Sequence, residues 1–463
     1  MNHASNLALQ TRDGRLFYWE LTELADEIAG NVPGRSVVFL IATNTIAAIA
    51  GYAGFLRKRA VVVMIRTGMT QEQLDGLLCA YEPQFIWCPD KSIDSMAGFA
   101  LSSVFSYDGY SLLSTGHACY KVNPDTALLL TTSGSTGTPK YVRLTYANLR
   151  SNAESIAEYQ QISEFDRAIT TLPFSYSYGI SIVNSHLLRG ASLVLTEEGV
   201  LSHDFWDLLK DSGVTNFGGV PYTYQMLKRL HFNQMDLPSL RFISQAGGRL
   251  GANLQSEFGQ ICREKGIDFF VMYGQTEATA RMSWLPPEYV LDKLGSIGQA
   301  IPGGQFELRD DAGKLINDSG VAGELYYQGA NVSQGYALNK DDLANADENF
   351  GILATGDIAR RDEDGFYYII GRMKRFLKLF GNRINMDELE AMIAKHGIEI
   401  ACVGVDDKMT VFTTYDNHEA LISILAKETG INPHGFAVQH LEEIPRTSSG
   451  KTDYASLELS IAK

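Results

Sequence analysis

VVFLIATNTIAAIAGYAGFL, residues 37–56, is an apolar stretch nearly long enough to cross a bilayer. Thr43, Asn44 and Thr45 interrupt it, which indicates a buried strand, a polar turn and a helix. The run VVVMI at 61–65 predicts a second buried strand, and a helical pattern follows over 70–81. Strands that alternate with helices predict an α/β fold, with a parallel sheet covered on both faces.

The alternation continues on the C-terminal side of this stretch. Further strands are predicted near 192–196, 240–245 and 268–272, separated by helices such as 202–211 and 251–264. After about residue 300, the segments FELRDDAGKLI and GELYYQG predict short strands with tight turns, typical of hairpins or a small barrel. The sequence GRMKRFLKLFGNRI, residues 371–384, contains five basic residues and no acid, and we predict a domain boundary there, near Lys374.

Composition and charge exclude several classes of protein. A chain of 463 residues that is 45% hydrophobic and 20% charged is typical of a soluble protein with two or more domains. Its net charge of -15 argues against nonspecific nucleic-acid binding. The N-terminus lacks the pattern of a signal peptide, so we expect a cytoplasmic protein without a membrane span. The five cysteines form no CxxC pair, which argues against a zinc ribbon or a disulfide framework: Cys79, Cys88, Cys119, Cys262 and Cys402.

The sequence LLLTTSGSTGTPKYVRLT, residues 128–145, places glycines, hydroxyl residues and Lys140 directly after a predicted strand. Glycines allow backbone N–H groups to turn inward and form an anion-binding nest, and Lys140 adds a positive charge. Phosphate is the natural ligand of such a loop. The spacing departs from GxxxxGK[ST], because Pro139 precedes Lys140, so we predict a different kind of phosphate loop.

TTSGSTGTPK closely resembles the phosphate loop of the adenylate-forming superfamily, which includes acyl-CoA synthetases, adenylation domains of nonribosomal peptide synthetases and firefly luciferase. Four further segments resemble motifs of the superfamily in the expected order: SQAGGRL (244–250), YGQTE (273–277), ATGDIARRDEDGFYYIIGR (354–372) and PRTSSGK (445–451). The chain is therefore identified as a member of this superfamily. The resemblance implies a large N-terminal α/β domain with a small β-barrel-like part over residues 1–373, and a small α+β C-terminal lid over 374–463.

The resemblance also implies the residues that bind ATP and Mg²⁺. Tyr273 would stack on adenine, and Asp357 would accept hydrogen bonds from both ribose hydroxyls. Arg372 would contact ribose or phosphate, Thr276 would donate to the α-phosphate, and Glu277 would ligate Mg²⁺. The remaining nucleotide-binding positions are Thr132, Ser133, Gly134, Ser135, Thr136, Gly137 and Lys140 at the phosphates, and Gly247 and Gly248 beside the purine.

Three lysines near the C-terminus have implied roles in a two-step reaction. Lys451 would bind the substrate carboxylate and the phosphate during adenylation. Lys374 matches the hinge about which the C-terminal domain rotates, and Lys378 matches a lysine used in the second orientation.

The acid-binding pocket is implied to contain neutral and mostly small residues: Tyr176, Ser177, Tyr178, Ser181, Gly218, Met272 and Ala280. Ser177 occupies the position where amino-acid-activating relatives carry an aspartate for the substrate ammonium, which argues against an α-amino acid. The lining suits an uncharged aryl or medium-length acyl group.

The acceptor of the acyl group is predicted to be the thiol of CoA, which makes the protein a carboxylic acid–CoA ligase. A stand-alone enzyme that loads a phosphopantetheinyl carrier protein and an amide-forming synthetase are the alternatives. The basic run from Arg372 to Arg383 would attract CoA phosphates or an acidic carrier, or would consist only of solvated hinge charges. A luciferase-like oxygenase would share the ATP motifs, and an inactive nucleotide sensor would share the fold; Glu277, Asp357 and Lys451 argue against the sensor.

Two features depart from the superfamily pattern. Tyr141 stands where a glycine usually follows the lysine of the phosphate loop, so we expect the edge of the phosphate site to differ. The C-terminal domain is also short, notably across 403–416, which affects the surface expected to meet the thiol.

Overall fold

The structure is a computed structural model that describes residues 3–96, 98–131, 140–379, 382–405, 408–447 and 450–461. The α-helices in these ranges are α1 (Tyr18–Ile28), α2 (Ile46–Arg57), α3 (Gln71–Tyr81), α4 (Tyr146–Tyr159), α5 (Ser177–Leu188), α6 (His203–Asp211), α7 (Pro221–Arg229), α8 (Ala252–Lys265), α9 (Met386–Ala394), α10 (His418–Thr429) and α11 (Tyr454–Ile461).

Two large sheets contain most of the strands. The first has the order β19-β9-β8-β4-β3-β5-β7-β6, with β3 (Val37–Ala42), β4 (Val61–Arg66), β5 (Phe85–Pro89), β6 (Ser102–Tyr107), β7 (Tyr110–Ser114), β8 (Thr126–Thr131), β9 (Tyr141–Thr145) and β19 (Tyr336–Ala337). The second has the order β16-β15-β14-β13-β12-β10-β11-β1-β2, with β1 (Leu7–Gln10), β2 (Arg15–Phe17), β10 (Arg167–Ile169), β11 (Ser192–Val194), β12 (Asn216–Gly219), β13 (Phe242–Gln245), β14 (Asp268–Tyr273), β15 (Ser283–Leu285) and β16 (Gln299–Ala300).

The remaining strands form three smaller sheets. One has the order β17-β18-β20-β21, with β17 (Gly304–Arg309), β18 (Ala322–Gly329), β20 (Ile352–Arg361) and β21 (Tyr367–Arg372). A hairpin follows, made of β22 (Phe376–Leu379) and β23 (Asn382–Asn385), and the last sheet contains β24 (Ile400–Val405), β25 (Lys408–Thr413) and β26 (Phe436–His440).

Both large sheets are mixed, which corrects the prediction of a parallel sheet. In the first, β8, β4, β3 and β5 are parallel, and antiparallel strands extend both edges. In the second, the strands from β14 to β1 are parallel, while β2, β15 and β16 pair antiparallel at the edges. The predicted strands β3, β4, β11, β13 and β14 lie in the parallel parts of the two sheets. The sequence analysis did not predict four other parallel strands: β1, β5, β10 and β12.

Strand β3 explains how one apolar run supports two layers. Val38 and Leu40 pack in a core that also contains Leu9 of β1 and Ile49 of α2, whereas Phe39 packs on the opposite face, with side chains of α3. Successive side chains of a strand point to opposite faces, so a strand buried on both faces reads as continuous hydrophobic sequence.

The chain divides into two compact units. Of the described residues, those within 3–131, 140–305 and 328–353 form the first unit, and those within 306–327 and 354–461 form the second. The boundary predicted near Lys374 lies inside the second unit, and a separate lid over 374–463 stays a prediction. Within the described ranges, the helices are too short or too polar to cross a membrane.

The basic run that starts at Arg372 is partly neutralised within the second unit. The Arg375 guanidinium forms ion pairs with Asp387 and Glu390 and stacks on the Tyr454 ring, 3.7 Å from its centroid. The Tyr454 hydroxyl also donates to Glu390, at 2.7 Å. Arg375 therefore connects the turn after β21 with α9 and α11 through internal contacts, and does not belong to a solvated basic patch.

A buried histidine makes the stability of the first unit depend on pH. His186 on α5 lies with its Nδ1 2.9 Å from the carbonyl oxygen of Ile182 and its Nε2 3.1 Å from the Asn216 side-chain nitrogen. Burial lowers the pKa of His186 to about 4. In the unfolded chain, the His186 imidazole takes up a proton below pH ~6.5, whereas in the folded protein it stays neutral down to about pH 4. The contribution of neutral His186 to the free energy of unfolding is therefore complete above pH ~6.5 and is lost as the pH falls toward 4.

We expect the free energy of unfolding to fall by about 2 kcal/mol more in the wild type than in His186→Gln between pH 7 and pH 5, because each pKa unit corresponds to about 1.4 kcal/mol. Urea titrations followed by tryptophan fluorescence measure this difference. His434→Gln, at an exposed position, serves as the control and should show the wild-type pH dependence. An equal loss in His186→Gln and the wild type would contradict the assignment of the pH dependence to His186.

Candidate active site

The predicted phosphate loop connects the adjacent ends of an antiparallel hairpin. Thr131, the last residue of β8, pairs with Tyr141, the first residue of β9. The predicted phosphate-binding residues Thr132, Ser133, Gly134, Ser135, Thr136 and Gly137 lie outside the described residues.

The Tyr141 side chain is fully buried and packs edge to face against Tyr81, with ring centroids 5.5 Å apart. Its substitution for glycine therefore changes the core beneath β9. The ring faces the hydrophobic core, and a difference at the edge of the phosphate site stays a prediction.

Tyr336 links the two charged residues predicted at the phosphates and the metal. Strand β19 pairs with β9 and brings the Tyr336 ring to Lys140, whose ammonium lies 3.8 Å from the ring centroid. The Tyr336 hydroxyl donates to Oε1 of Glu277 at 2.7 Å. Burial, together with the charge of Glu277, raises the pKa of Tyr336, so the hydroxyl stays protonated and keeps donating. The sequence analysis did not identify this residue.

The YGQTE motif forms the turn after β14, and hydrogen bonds hold this turn in place. The Thr276 hydroxyl donates to Oγ of Ser177 at 3.3 Å, so the predicted α-phosphate donor lies beside a predicted pocket residue. Asn331 Nδ2 donates to the carbonyl oxygens of Ala278 at 2.8 Å and Arg281 at 3.0 Å. The turn that presents Glu277 is therefore fixed from two sides.

The predicted adenine-binding turn follows the neighbouring strand. Gly247 has φ of 83°, and a Cβ there would lie 2.6 Å from the Tyr176 hydroxyl oxygen, so only glycine fits. The Gln245 side chain donates to the carbonyl oxygen of Gly248 at 2.8 Å. Tyr273, predicted to stack on adenine, is half-buried at the end of β14. Glycine at 247 therefore makes room for the Tyr176 side chain, and the role of this turn in binding adenine stays a prediction.

These turns lie at one edge of the second sheet. Strands β12, β13 and β14 are adjacent and parallel, with Gly219 opposite Gln245 and Gln245 opposite Val271. The segments after their carboxyl ends therefore meet, which is where ligands bind in open α/β sheets.

The residues predicted for the acid pocket are brought together beside the same edge. Tyr178 on α5 donates its hydroxyl to the carbonyl oxygen of Ser244 at 2.8 Å. A Cβ at Gly218 would lie 2.7 Å from that hydroxyl oxygen, so glycine there makes room for Tyr178. Ser177, Tyr178, Ser181, Met272 and Ala280 are all buried.

Arg281 lies among these residues and was missed by the sequence analysis. It is 1% exposed, and Nη1 lies 2.6 Å from Sδ of Met272. Nη2 donates to Oγ of Ser181 at 3.1 Å, and the guanidinium carbon lies 3.8 Å from the centroid of the Tyr178 ring. A buried cation therefore contacts three of the positions predicted to form a neutral lining.

The second unit contains the predicted ribose-binding pair. Asp357 on β20 stands opposite Arg372 on β21, and the two form an ion pair with Nε 3.1 Å from Oδ1. The Asp357 side chain is 3% exposed and that of Arg372 is 61% exposed. Arg372 thus holds the orientation of the Asp357 carboxylate.

The predicted catalytic and hinge lysines also belong to the second unit. Lys451 ends a tight turn in which its backbone N–H donates to the Thr447 hydroxyl at 3.2 Å, and an isolated bridge joins Arg446 to Thr452. The backbone of Lys374 lies in a 3-10 turn, Met373–Arg375, and that of Lys378 lies in β22. The side chains of Lys374 and Lys378 lie outside the described part of the structure.

We expect Asp357→Asn to raise the KM for ATP about 10- to 100-fold with little change in kcat, because the amide keeps the size of the side chain but loses the charge and one acceptor. ATP titrations of ATP–pyrophosphate exchange measure this effect. Asp75→Asn on α3 is the matched control and should leave KM unchanged. An unaltered KM in Asp357→Asn would contradict the role in ribose binding.

A family model described as "AMP-binding enzyme" matches residues 2–337. The chain is 29% identical to a probable CoA ligase, CCL9, of Humulus lupulus, across 82% of this chain and 77% of that protein. It is 28% identical to an oxalate–CoA ligase of Arabidopsis thaliana, across 91% and 88% of the two chains. A 2-succinylbenzoate–CoA ligase of Bacillus licheniformis is 33% identical, across 61% and 58%.

Solved structures show the same fold. O-succinylbenzoate coenzyme A synthetase (MenE) of Bacillus subtilis, in complex with ATP and magnesium ion, superposes with a TM-score of 0.77 at 22% identity, across 98% of this chain and 97% of that one. ATP-bound MatB of Rhodopseudomonas palustris superposes with a TM-score of 0.80 at 23% identity, across 99% and 96%.

These findings confirm the predicted superfamily, the α/β fold class and the enzyme class, an AMP-forming acid–thiol ligase. The family model covers most of the chain, including the adenine-binding turn and the YGQTE turn described above. The chain belongs to the AMP-binding enzyme family.

Proposed function

We propose that this protein activates a carboxylic acid with ATP and transfers the acyl group to the thiol of CoA. The observation that supports the proposal is that the turns carrying Gly247, Thr276 and Glu277 lie at one edge of the second sheet, beside the buried residues predicted for the acid pocket. The curated relatives named above are CoA ligases, which favours CoA as the acceptor.

In the first step, an oxygen of the acid attacks the α-phosphorus of ATP. The bond from that phosphorus to the bridging oxygen breaks, and pyrophosphate leaves with the electron pair. In the second step, the thiol sulfur attacks the acyl carbon, AMP leaves with the electron pair of the broken C–O bond, and the thiol proton passes to solvent. The carboxylate needs this activation because its own leaving group would be an oxide.

The residues of this chain fit the charge that builds up in the first step. Lys140 would supply positive charge and Thr276 a hydroxyl donor, and Lys451 is proposed to add a second positive charge during adenylation. The Glu277 carboxylate is a hard oxygen ligand on a fixed turn, as a Mg²⁺ site requires. Mg²⁺, when bound there, neutralises charge on the phosphate oxygens.

We propose a cytoplasmic location. ATP and CoA are intracellular substrates, and the five cysteines are free thiols, as expected in a reducing compartment.

ATP–pyrophosphate exchange over a panel of acids tests the first step, and three acceptors offered in parallel test the second. CoA, a phosphopantetheinylated carrier protein and a simple amine are each incubated with an acid that supports exchange. We expect the CoA thioester and AMP in equal amounts. Transfer only to the carrier or the amine would overturn the choice of CoA, and absence of exchange with every acid would overturn the adenylation step.

A further inference from the structure

Arg281 is a buried cation that has no anionic partner among the residues that the structure describes. The described residues place no carboxylate within 4.0 Å of its guanidinium. A buried charge is normally paired, because removing it from water is costly. The Tyr178 ring beneath the guanidinium offers only its quadrupole, which compensates part of the charge.

The guanidinium makes one ordinary hydrogen bond, from Nη2 to Oγ of Ser181 at 3.1 Å, and its other N–H groups are poorly satisfied. Nη1 approaches the Met272 thioether, a poor acceptor, and Nε has no hydrogen-bond partner among the described residues although it is buried. The Tyr159 hydroxyl and the Gln160 amide approach the same sulfur, at 3.1 and 3.6 Å. Three donors thus converge on one sulfur atom that satisfies none of them well.

A carboxylate is the group that this cluster of donors lacks. Its two oxygens accept the paired N–H bonds of a guanidinium, and they would also accept from Tyr159 and Gln160. Met272 is the residue whose flexible side chain most readily moves aside for it. Met272, Ser181 and Tyr178 are the positions around Arg281 that line the predicted acid pocket, so the missing carboxylate belongs to the substrate.

We propose that the acid activated by this enzyme carries a second carboxylate, which pairs with Arg281 while the first reacts with ATP. The inference rests on the proposed function and narrows its substrate from a carboxylic acid in general to a dicarboxylic acid, in place of the uncharged acyl group expected from the sequence. Arg281 is then a specificity-determining residue at the end of the substrate that does not react.

The test compares diacids with their monomethyl esters in ATP–pyrophosphate exchange. Each ester keeps the reacting carboxylate and nearly the same shape, but lacks the second charge. With the wild type, we expect kcat/KM for the preferred diacid to exceed that for its half-ester by about a hundredfold or more. Malonate, succinate, glutarate and phthalate form the panel, with butyrate and benzoate as plain monoacids.

Variants of Arg281 test whether this residue causes the preference for diacids over half-esters. Arg281→Gln should bring the diacid to half-ester ratio to within about threefold of one, and Arg281→Lys should keep part of it. The matched control is Arg150→Gln, on the exposed face of α4, which should keep the wild-type ratio. The comparison of diacids with their half-esters in the wild type needs no variant. It therefore still tests the preference for a second carboxylate if Arg281→Gln fails to fold.

Three results would overturn the inference. The first is a wild-type enzyme that uses monoacids or half-esters as well as diacids. The second is an Arg281→Gln variant in which kcat/KM falls equally for the diacid and its half-ester, as expected of a purely structural residue. In both cases exchange itself persists and the proposed function stands. Absence of exchange with every monoacid and diacid would instead remove the proposed function, and the inference with it.

Discussion

Lys451→Ala is expected to lose about a hundred- to a thousandfold of the rate of carboxylate-dependent ATP–pyrophosphate exchange. Two anions, the acid and the α-phosphate, must meet in the first step, and an ammonium group placed between them offsets their repulsion. Gly450, with φ of 77°, and the hydrogen bond to Thr447 shape the turn that presents Lys451. The initial rate of exchange at saturating ATP measures the loss.

A partial reaction separates this role from a general defect. Lys451→Ala, given a chemically prepared acyl-adenylate and CoA, should form thioester at close to the wild-type rate, because the anions have already been joined. Lys378→Ala should show the opposite pattern if it serves the second step. Lys427→Ala, on the exposed face of α10, is the matched control. Near-normal exchange in Lys451→Ala would remove this lysine from the mechanism.

Several parallel strands of the two large sheets could be predicted from the sequence because each strand is a local apolar run. In the stretch from Val37 to Arg66, burial on both faces of β3 and β4 gives continuous apolar runs, and the polar turn at residues 43–45 separates strand from helix. The antiparallel edges could not be predicted in this way. Strand β19 is only two residues long and pairs with β9 across nearly two hundred residues, so no local pattern marks it.

The candidate site also contains residues that the sequence reveals and residues that only the structure reveals. Gly247 and Glu277 stand in contiguous motifs, and strand order alone brings those motifs to one edge of the sheet. Tyr336 and Arg281 make contacts that only the tertiary structure creates. Tyr336 contacts Lys140 and Glu277, and Arg281 contacts Tyr178 of α5. For Arg281 a weak signal existed, since it is the only charged residue of the run ATARMSWL at 278–285.

Glu277→Gln is expected to lower kcat/KM for MgATP by about a hundred- to a thousandfold. Glutamine keeps the size of the side chain, and its Oε1 still accepts the hydrogen bond from Tyr336. The formal negative charge that a hard cation needs is lost. Exchange measured across a range of Mg²⁺ concentrations should show half-saturation at a higher concentration in the variant. Glu154→Gln on α4 is the matched control.

Tyr336→Phe tells whether Glu277 acts through its charge or through its hydrogen bond. Phenylalanine keeps the ring against Lys140 but removes the donor to Glu277, and a net hydrogen bond contributes about 1 kcal/mol, or about fivefold in rate. A much larger loss in Glu277→Gln than in Tyr336→Phe means that the carboxylate charge is required at the metal. Equal losses would mean that Glu277 only anchors Tyr336, and wild-type Mg²⁺ dependence in Glu277→Gln would exclude it as the ligand.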